Sequence, residues 1–313
     1  MVKASSVLLA DIGGTHSRFA MLAAGGRPER VVSWSNDGFD SPEAAIAAYI
    51  ADLGEKPKAA MFAVAGAVTG RTIALTNRGW HFNLDDLAKR FGLSPLDAIN
   101  DFEAQAWALG RLQPGDYVAI GDSARAGSSQ GVKVVLGPGT GLGVAALLPV
   151  AGGWQAVPTE GGHVSFGAAS QDEEPIFARL HRDGPVSAET VISGSGLPRL
   201  HLAVNPGAAP LASADIVAKA LAGDPAAAAT IRLFVRLLGR FAGDVALTFK
   251  AVGGVYIAGG VTGKLGVLFD AEIFRAAFEM HPPYGALLQG VPTYLITVAH
   301  PGLIGCAACA MAR

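Results

Sequence analysis

Short apolar runs alternate with amphipathic segments in the first hundred residues of the chain. Val7–Ala10 and Phe19–Leu22 are predicted strands on either side of a glycine-rich turn. Pro42–Leu53 is a predicted helix, because Ser41 suits an N-cap and proline is well tolerated at the first helical position. Ala59–Gly66 is continuously apolar and of strand length, which is typical of a strand buried on both faces. This alternation of strands and helices predicts an α/β fold.

Further patterns follow along the rest of the chain. Phe102–Leu112 is a predicted helix directly after the strand-like "LDAI", and Gly115–Gly131 mixes one short strand with a turn of small residues. Val134–Leu148 is a second strand, glycine turn and strand. Thr230–Phe249 is a long predicted helix, because its apolar residues recur at helical spacing. Gly253–Gly260 is a predicted buried strand between two glycine pairs.

Length and composition bound the kind of protein. A chain of 313 residues exceeds the usual size of one hydrophobic core, so we expect two domains with a boundary near Gly110. Half of the residues are apolar and 16% are charged, which is typical of a packed globule. The formal charge of -2 offers no attraction for nucleic acid. The N-terminal apolar run is too short for a signal peptide or a membrane span, so we expect a cytoplasmic protein.

Two cysteines near the end of the sequence, Cys306 and Cys309, form a single CxxC motif. A structural zinc site needs four ligands, and no second pair of cysteines or histidines lies at a suitable spacing. The favoured interpretation is that both are small buried residues on one face of a terminal helix.

The two glycine turns share one design. Aligning Gly14 with Gly139 places Thr15 over Thr140, with apolar strands on both sides in each copy. Such turns can bring backbone N–H groups and a hydroxyl close to a phosphate, because glycine has no Cβ to hold an anion away. No P-loop motif is present, and "GPGTGLG" leads into a strand, whereas a dinucleotide fingerprint must open a helix. Each turn alone is equally compatible with an ordinary hairpin, and the repetition favours phosphate binding.

Asp11 stands at the end of the first strand, beside this turn. A carboxylate there would repel a phosphate unless a cation lay between them. Magnesium, held directly or through water, fits that position. The alternative is that Asp11 only accepts hydrogen bonds from the turn amides.

Five further polar residues lie on separate turns: Asn100, Asp101, Glu160, His163 and Glu189. Taken singly, each has a structural interpretation, such as a helix cap, a core histidine or a surface helix residue. Together they suit a polyol, because each sugar hydroxyl both donates and accepts hydrogen bonds. No basic cluster accompanies them, so a neutral polyhydroxylated acceptor is favoured over a sugar phosphate.

Six motifs follow one another between about Leu8 and "HPGLIG": "DIGGTHSR", "INDFEAQAWAL", "GPGTGLGVA", "PTEGGHVSF", "VSAETVISGSGL" and "GGVYIAGGV". In these motifs, and so over nearly its whole length, the chain resembles the bacterial ATP-dependent glucokinases of the enterobacterial type, within the hexokinase/actin-like superfamily. The resemblance implies a two-lobed α/β fold of the actin/hexokinase, ribonuclease H-like type with an interlobe cleft. The small domain would cover residues 1–110 and the large one residues 111–300, with a C-terminal helix over about 301–313 packing back on the small domain.

The resemblance also implies roles for individual residues. Asp101 matches the catalytic base, and Asp11 would serve magnesium through water. The ATP phosphates and adenosine would be held by Gly13, Gly14, Thr15, Gly139, Thr140, Gly259 and Gly260. The sugar would be held by Asn100, Asp101, Glu160, His163 and Glu189.

The implied activity is transfer of the γ-phosphate of ATP to the 6-hydroxyl of D-glucose, in a cytoplasmic homodimer that serves glycolysis. Two departures from the family pattern are His16, where asparagine is usual, and Pro158–Glu160, which replaces a glycine-containing turn. The zinc motif of the related repressor and kinase family is missing after His163. The alternatives are a kinase of another neutral hexose, a non-catalytic sugar sensor on the same fold, and an actin-like nucleotide-binding protein.

Overall fold

The computed structural model describes residues 6–76, 78–121 and 127–313. The chain divides into two compact units. Unit 1 contains the chain up to Gln113 together with Pro149–Pro158 and Val298–Arg313, and unit 2 contains Pro114–Leu148 and Thr159–Thr297. Part of the turn expected within Gly115–Gly131 lies outside the described residues.

Strands and helices alternate along much of the described chain. The strands are β1 Val7–Ile12, β2 His16–Leu22, β3 Pro28–Ser35, β4 Ala59–Val64, β5 Thr72–Ala74, β6 His81–Asn83, β7 Leu96–Asn100, β8 Tyr117–Ala119, β9 Lys133–Pro138, β10 Leu142–Val150, β11 Gly153–Thr159, β12 Gly254–Ile257 and β13 Thr293–Ile296. The α-helices are α1 Pro42–Leu53, α2 Leu84–Phe91, α3 Asp101–Ala108, α4 Glu174–Leu180, α5 Ala188–Val191, α6 Gly196–Val204, α7 Ser213–Leu221, α8 Pro225–Phe249, α9 Gly260–Leu265, α10 Ala271–Glu279, α11 Gly285–Gln289 and α12 Pro301–Ala312.

The sheet of unit 1 has the strand order β3-β2-β1-β4-β7. β1, β4 and β7 run parallel, and β2 and β3 are antiparallel additions at one side. Every residue of β4 is buried, as its unbroken apolar sequence predicts for a strand with neighbours on both sides. Because the three strands run parallel, the residues at their carboxyl ends share one edge of the sheet.

Helix α1 confirms the prediction made from its caps. The Ser41 hydroxyl accepts a hydrogen bond from the Ala44 N–H at 3.3 Å, and Pro42 occupies the first turn. Tyr49 of this helix stacks on Phe19 of β2, with ring centroids 5.4 Å apart. The helix therefore covers one apolar face of the sheet.

Helix α12 belongs to unit 1 and packs against α3, β1 and β4. At Gly305 the backbones come so close that a Cβ would overlap the carbonyl oxygen of Ala104. Cys306 and Cys309 are both buried, and the Cys306 thiol donates to the carbonyl of Ala10 at 3.4 Å. The predicted role as small core residues is confirmed, and burial raises the pKa of both thiols.

The second sheet has the order β11-β10-β9-β12-β13-β8. β9 and β10 form the second antiparallel hairpin, and β12 lies parallel to both β9 and β13. The predicted strands on either side of the "GPGTGLG" turn are therefore confirmed. Each unit therefore contains one copy of the repeated motif on an antiparallel hairpin, as the sequence pattern predicts.

Two predicted helices have different bounds in the structure. The long helix α8 begins at Pro225 rather than Thr230, because the Asp224 side chain caps it by accepting from the Ala227 N–H at 2.8 Å. The helix predicted over Phe102–Leu112 is α3, which ends at Ala108 and continues as a turn. Among the described residues, no helix combines the length and apolar character needed to cross a membrane.

Candidate active site

The first glycine turn joins β1 to β2 and places Asp11 opposite Arg18. The Arg18 guanidinium donates to the Asp11 carboxylate at 3.2 Å, and the Gly13 N–H donates to the carbonyl of His16 at 3.0 Å. Thr15 and His16 are exposed at the tip. The aspartate at the strand end is therefore held by a cation of the neighbouring strand.

Burial is the largest influence on Asp11 and raises its pKa, while Arg18 acts in the opposite direction. The start of α12 lies directly beside it, because a Cβ on Gly302 would be 3.1 Å from the carboxylate. The residue before this helix, His300, has a left-handed backbone with φ of 58°. Its pKa is lowered by burial first and by Arg18 second. Two segments far apart in the sequence thus enclose one carboxylate.

Asn100 and Asp101 lie at the junction of β7 and α3, at the sheet edge where β1 also ends. The Asn100 carboxamide caps α3 by accepting from the Phe102 N–H at 2.9 Å, as the structural interpretation predicted. Burial and then the charge of Asp11 raise the pKa of Asp101 to about 6. The site thus contains a carboxyl group that exchanges its proton near neutrality.

The second glycine turn, between β9 and β10, is closed by a hydrogen bond from the Gly139 N–H to the carbonyl of Gly141 at 2.8 Å. A Cβ on Gly139 would meet no atom within 4 Å, and Thr140 is exposed. β12 ends beside this turn, since a Cβ on Gly259 would lie 2.5 Å from the carbonyl oxygen of Pro138. Gly259 also has φ of 92°, so glycine is required there for two reasons.

The remaining predicted residues of unit 2 gather around the start of β10. Glu160 and His163 are exposed on the segment after β11. Gly162 holds that segment against β10, because a Cβ there would overlap the carbonyl of Leu142. The Glu189 carboxylate accepts a hydrogen bond from the Leu142 N–H at 2.7 Å. The segment that carries Glu160 and His163 and the side chain of Glu189 therefore meet at one strand end, next to the second glycine turn.

A family model described as Glucokinase matches residues 8–313. The chain belongs to the glucokinase family. Membership in that family makes it an ATP-dependent hexose kinase on an α/β fold of the actin/hexokinase type, as the motifs predicted.

Similarity to individual glucokinases extends over nearly the whole chain. It is 40% identical over 311 residues to a glucokinase of Paramagnetospirillum magneticum, with 96% of each chain covered. A glucokinase of Chromobacterium violaceum is 41% identical and covers 96% of this chain and 88% of its own. The crystal structure of a glucokinase from an Antarctic psychrotroph matches with a TM-score of 0.90 at 32% identity, covering 98% of this chain and 99% of that one.

Two residues that support the first turn of this glucokinase-family chain were not predicted from its sequence. The Asn36 side chain donates to the carbonyl of Gly13 at 2.8 Å and accepts from the Ser17 hydroxyl at 2.7 Å. Arg78 donates to the carbonyl of Gly14 at 3.4 Å. Both lie outside the glycine motif, and no local spacing marks them as its partners.

Proposed function

We propose that this chain transfers the γ-phosphate of ATP to the 6-hydroxyl of D-glucose, giving glucose 6-phosphate and ADP, with Asp101 as the general base. The observation that carries the proposal is the environment of Asp101. Asp101 is the first residue of α3 and is partly buried, and burial together with the charge of Asp11 raises its pKa to about 6. A base with such a pKa is largely ionised at neutral pH and still takes up a proton readily.

Sugar binding is assigned to five residues: Asn100, Asp101, Glu160, His163 and Glu189. Carboxylates accept from hydroxyl donors, while an imidazole and a carboxamide can also donate. The exposure of Glu160 and His163 supports this assignment, because both side chains can reach a ligand. Other neutral hexoses present the same groups, so a panel of sugars measures the preference for glucose.

ATP binding is assigned to backbone amides and one hydroxyl in each glycine turn. The proposed residues are Gly13, Gly14, Thr15, Gly139, Thr140, Gly259 and Gly260. Two features support this assignment: the turn tips are exposed, and a Cβ on Gly139 would stand in open space where an anion could approach. The adjacent parallel strands β9 and β12 end at Pro138 and Ile257, just before Gly139 and Gly259, which suits one extended ligand.

Magnesium is proposed to accompany ATP and to be held by Asp11 through water. Mg²⁺ prefers oxygen ligands and commonly combines one or two carboxylates with substrate phosphates and water. Asp11 fits this chemistry, because its side chain is 17% exposed and lies beside a glycine turn. When bound, the ion would neutralise charge on the transferring phosphate.

The proposed reaction then needs little covalent chemistry from the protein. Asp101 accepts the proton of the sugar 6-hydroxyl as that oxygen attacks the γ-phosphorus, an effect of about 10²- to 10⁴-fold in rate. The other residues hold the sugar oxygen and the phosphate in line. Because Asp101 must be ionised to act, the rate should fall as the pH drops below its pKa of about 6.

The first test is the initial rate of ADP formation with Mg-ATP and glucose, for the wild type and for Asp101→Ala. The variant must remain folded and bind glucose. Loss of rate by orders of magnitude with sugar binding retained would support both the activity and the base. A wild type that binds glucose without turnover would instead identify a sugar sensor.

A cytoplasmic homodimer acting in glycolysis completes the proposal. The location follows from the proposed use of ATP, and the dimer from the resemblance to bacterial glucokinases. Sedimentation equilibrium of the purified chain measures its oligomeric state, and a monomer at working concentration would contradict the dimer.

A further inference from the structure

We infer that Glu189 is a positioning residue of the second glycine turn, so that one carboxylate connects sugar binding to nucleotide binding. This inference rests on the proposed function, which assigns the sugar to Glu189 and phosphate to the turn. The observation behind it is the hydrogen bond from the Leu142 N–H to Glu189 Oε2 at 2.7 Å. A hydrogen bond from an amide to a carboxylate is stronger than one between two neutral groups.

The glycine at position 141 is explained by this contact. A Cβ on Gly141 would lie 3.1 Å from the Glu189 carboxyl carbon and closer still to Oε2. Any larger residue would therefore displace the carboxylate from the Leu142 amide. Gly139, two residues earlier in the same turn, has open space where a Cβ would stand. The two glycines thus serve different purposes.

The rest of the segment after Glu189 is bonded to the same turn. The Gly194 N–H donates to the carbonyl of Gly139 at 2.8 Å, and the Ser195 hydroxyl donates to the carbonyl of Thr140 at 3.0 Å. The Ser193 hydroxyl ties this segment back to the carbonyl of Glu189 at 2.7 Å. Together with the hydrogen bond from Leu142 to Glu189, these contacts join residues 189–195 to the turn at three points.

The two oxygens of Glu189 have separate tasks in this arrangement. Oε2 faces the turn, whereas Oε1 has no hydrogen-bond partner within the part of the chain that the structure describes. A sugar hydroxyl donating to Oε1 would fix the carboxylate, and the fixed carboxylate would hold the turn. By reciprocity, nucleotide on the turn strengthens sugar binding by the same factor.

Equilibrium binding of ADP without sugar, and of glucose without nucleotide, tests the inference in the full chain. Glu189→Ala should weaken ADP binding by about tenfold, which is the loss expected for one charge-assisted hydrogen bond. Glu189→Gln should lose less ADP affinity, because its amide oxygen can still accept from Leu142. Gly141→Ala should weaken the binding of both glucose and ADP, whereas Gly139→Ala should weaken the binding of ADP alone.

The double variant Glu189→Ala with Gly141→Ala separates positioning from a general structural defect. With the carboxylate removed, the Cβ at position 141 has room. The double variant should therefore bind ADP as tightly as Glu189→Ala alone. ADP binding to Glu189→Ala within twofold of wild type, with glucose alone weakened, would overturn the inference and leave the sugar assignment intact. A wild type that binds neither ligand would instead refute the proposed function.

Discussion

Asp101 should lower the stability of the folded chain at neutral pH, and Asp101→Asn should recover that stability. Burial, followed by the charge of Asp11, raises its pKa from 3.8 to about 6. The folded state then binds a proton more tightly than the unfolded chain does between these two values. The free energy of unfolding therefore falls as the pH rises through this window, because the unfolded state favours the ionised form.

The size of the effect follows from the shift. The difference between 3.8 and about 6 is roughly two units, and each unit corresponds to about 1.4 kcal/mol. Asparagine carries no charge and has nearly the same shape. Asp101→Asn should therefore stabilise the chain by about 3 kcal/mol above pH 6 and by only about 0.5 kcal/mol at pH 4, and the difference should vanish near about pH 3, where the carboxyl is protonated in both states.

Urea denaturation of both proteins at intervals from about pH 4 to about pH 8 measures the difference. Glu29→Gln, at an exposed carboxylate of β3, is the matched control and should change stability by less than about 0.5 kcal/mol at every pH. A difference between Asp101→Asn and wild type that is constant with pH, or that shrinks as the pH rises, would refute the reasoning. The same variant should lose catalysis, so it exchanges activity for stability.

Two packing predictions concern stability alone. Gly305→Ala should destabilise the chain by roughly 2–3 kcal/mol, because its Cβ would overlap a carbonyl oxygen of α3. Gly263→Ala is the control and should be neutral or stabilising, because a Cβ there would stand in open space. The denaturation midpoints of the two variants are compared with that of the wild type. Arg240→Met should cost roughly 3 kcal/mol, because the buried Glu173 would keep only the longer contact with Arg236 and the hydrogen bond from the Ala169 N–H. Arg236→Met, at a side chain 37% exposed, should cost under about 1 kcal/mol, and equal losses in the two would contradict this ranking.

The local elements could be predicted because their signals lie within a few residues. Helix α1 has the bounds that Ser41 and Pro42 predict, and β4 is buried throughout as its apolar run predicts. The bounds of α8 and α3 differed because a cap at Asp224 and a turn after Ala108 decided them. The repeated glycine hairpin was also visible, since both copies carry the same short motif.

The contacts that position the candidate site were not predictable in the same way. Arg78 reaches Gly14 across 64 residues, and Glu189 reaches Leu142 across 47. Such pairs depend on the tertiary arrangement of loops, and a single sequence carries no spacing that identifies them. Residue types at the site could therefore be inferred from the motifs, whereas the partners of those residues required the fold.

Because α12 completes unit 1, the ribosome makes most of unit 2 between the first part of unit 1 and the helix that completes it. Residues up to Gln113 emerge first, and all of Thr159–Thr297 follows before Val298–Arg313 is available. Until then, the faces of β1 and β4 that α12 covers remain open to solvent. Unit 2 can finish its core while the earlier segment still waits, which reverses the usual order of N-terminal folding first. A chain stalled before Val298 would contain one folded unit and one incomplete unit, whose exposed apolar surface would make it prone to aggregate.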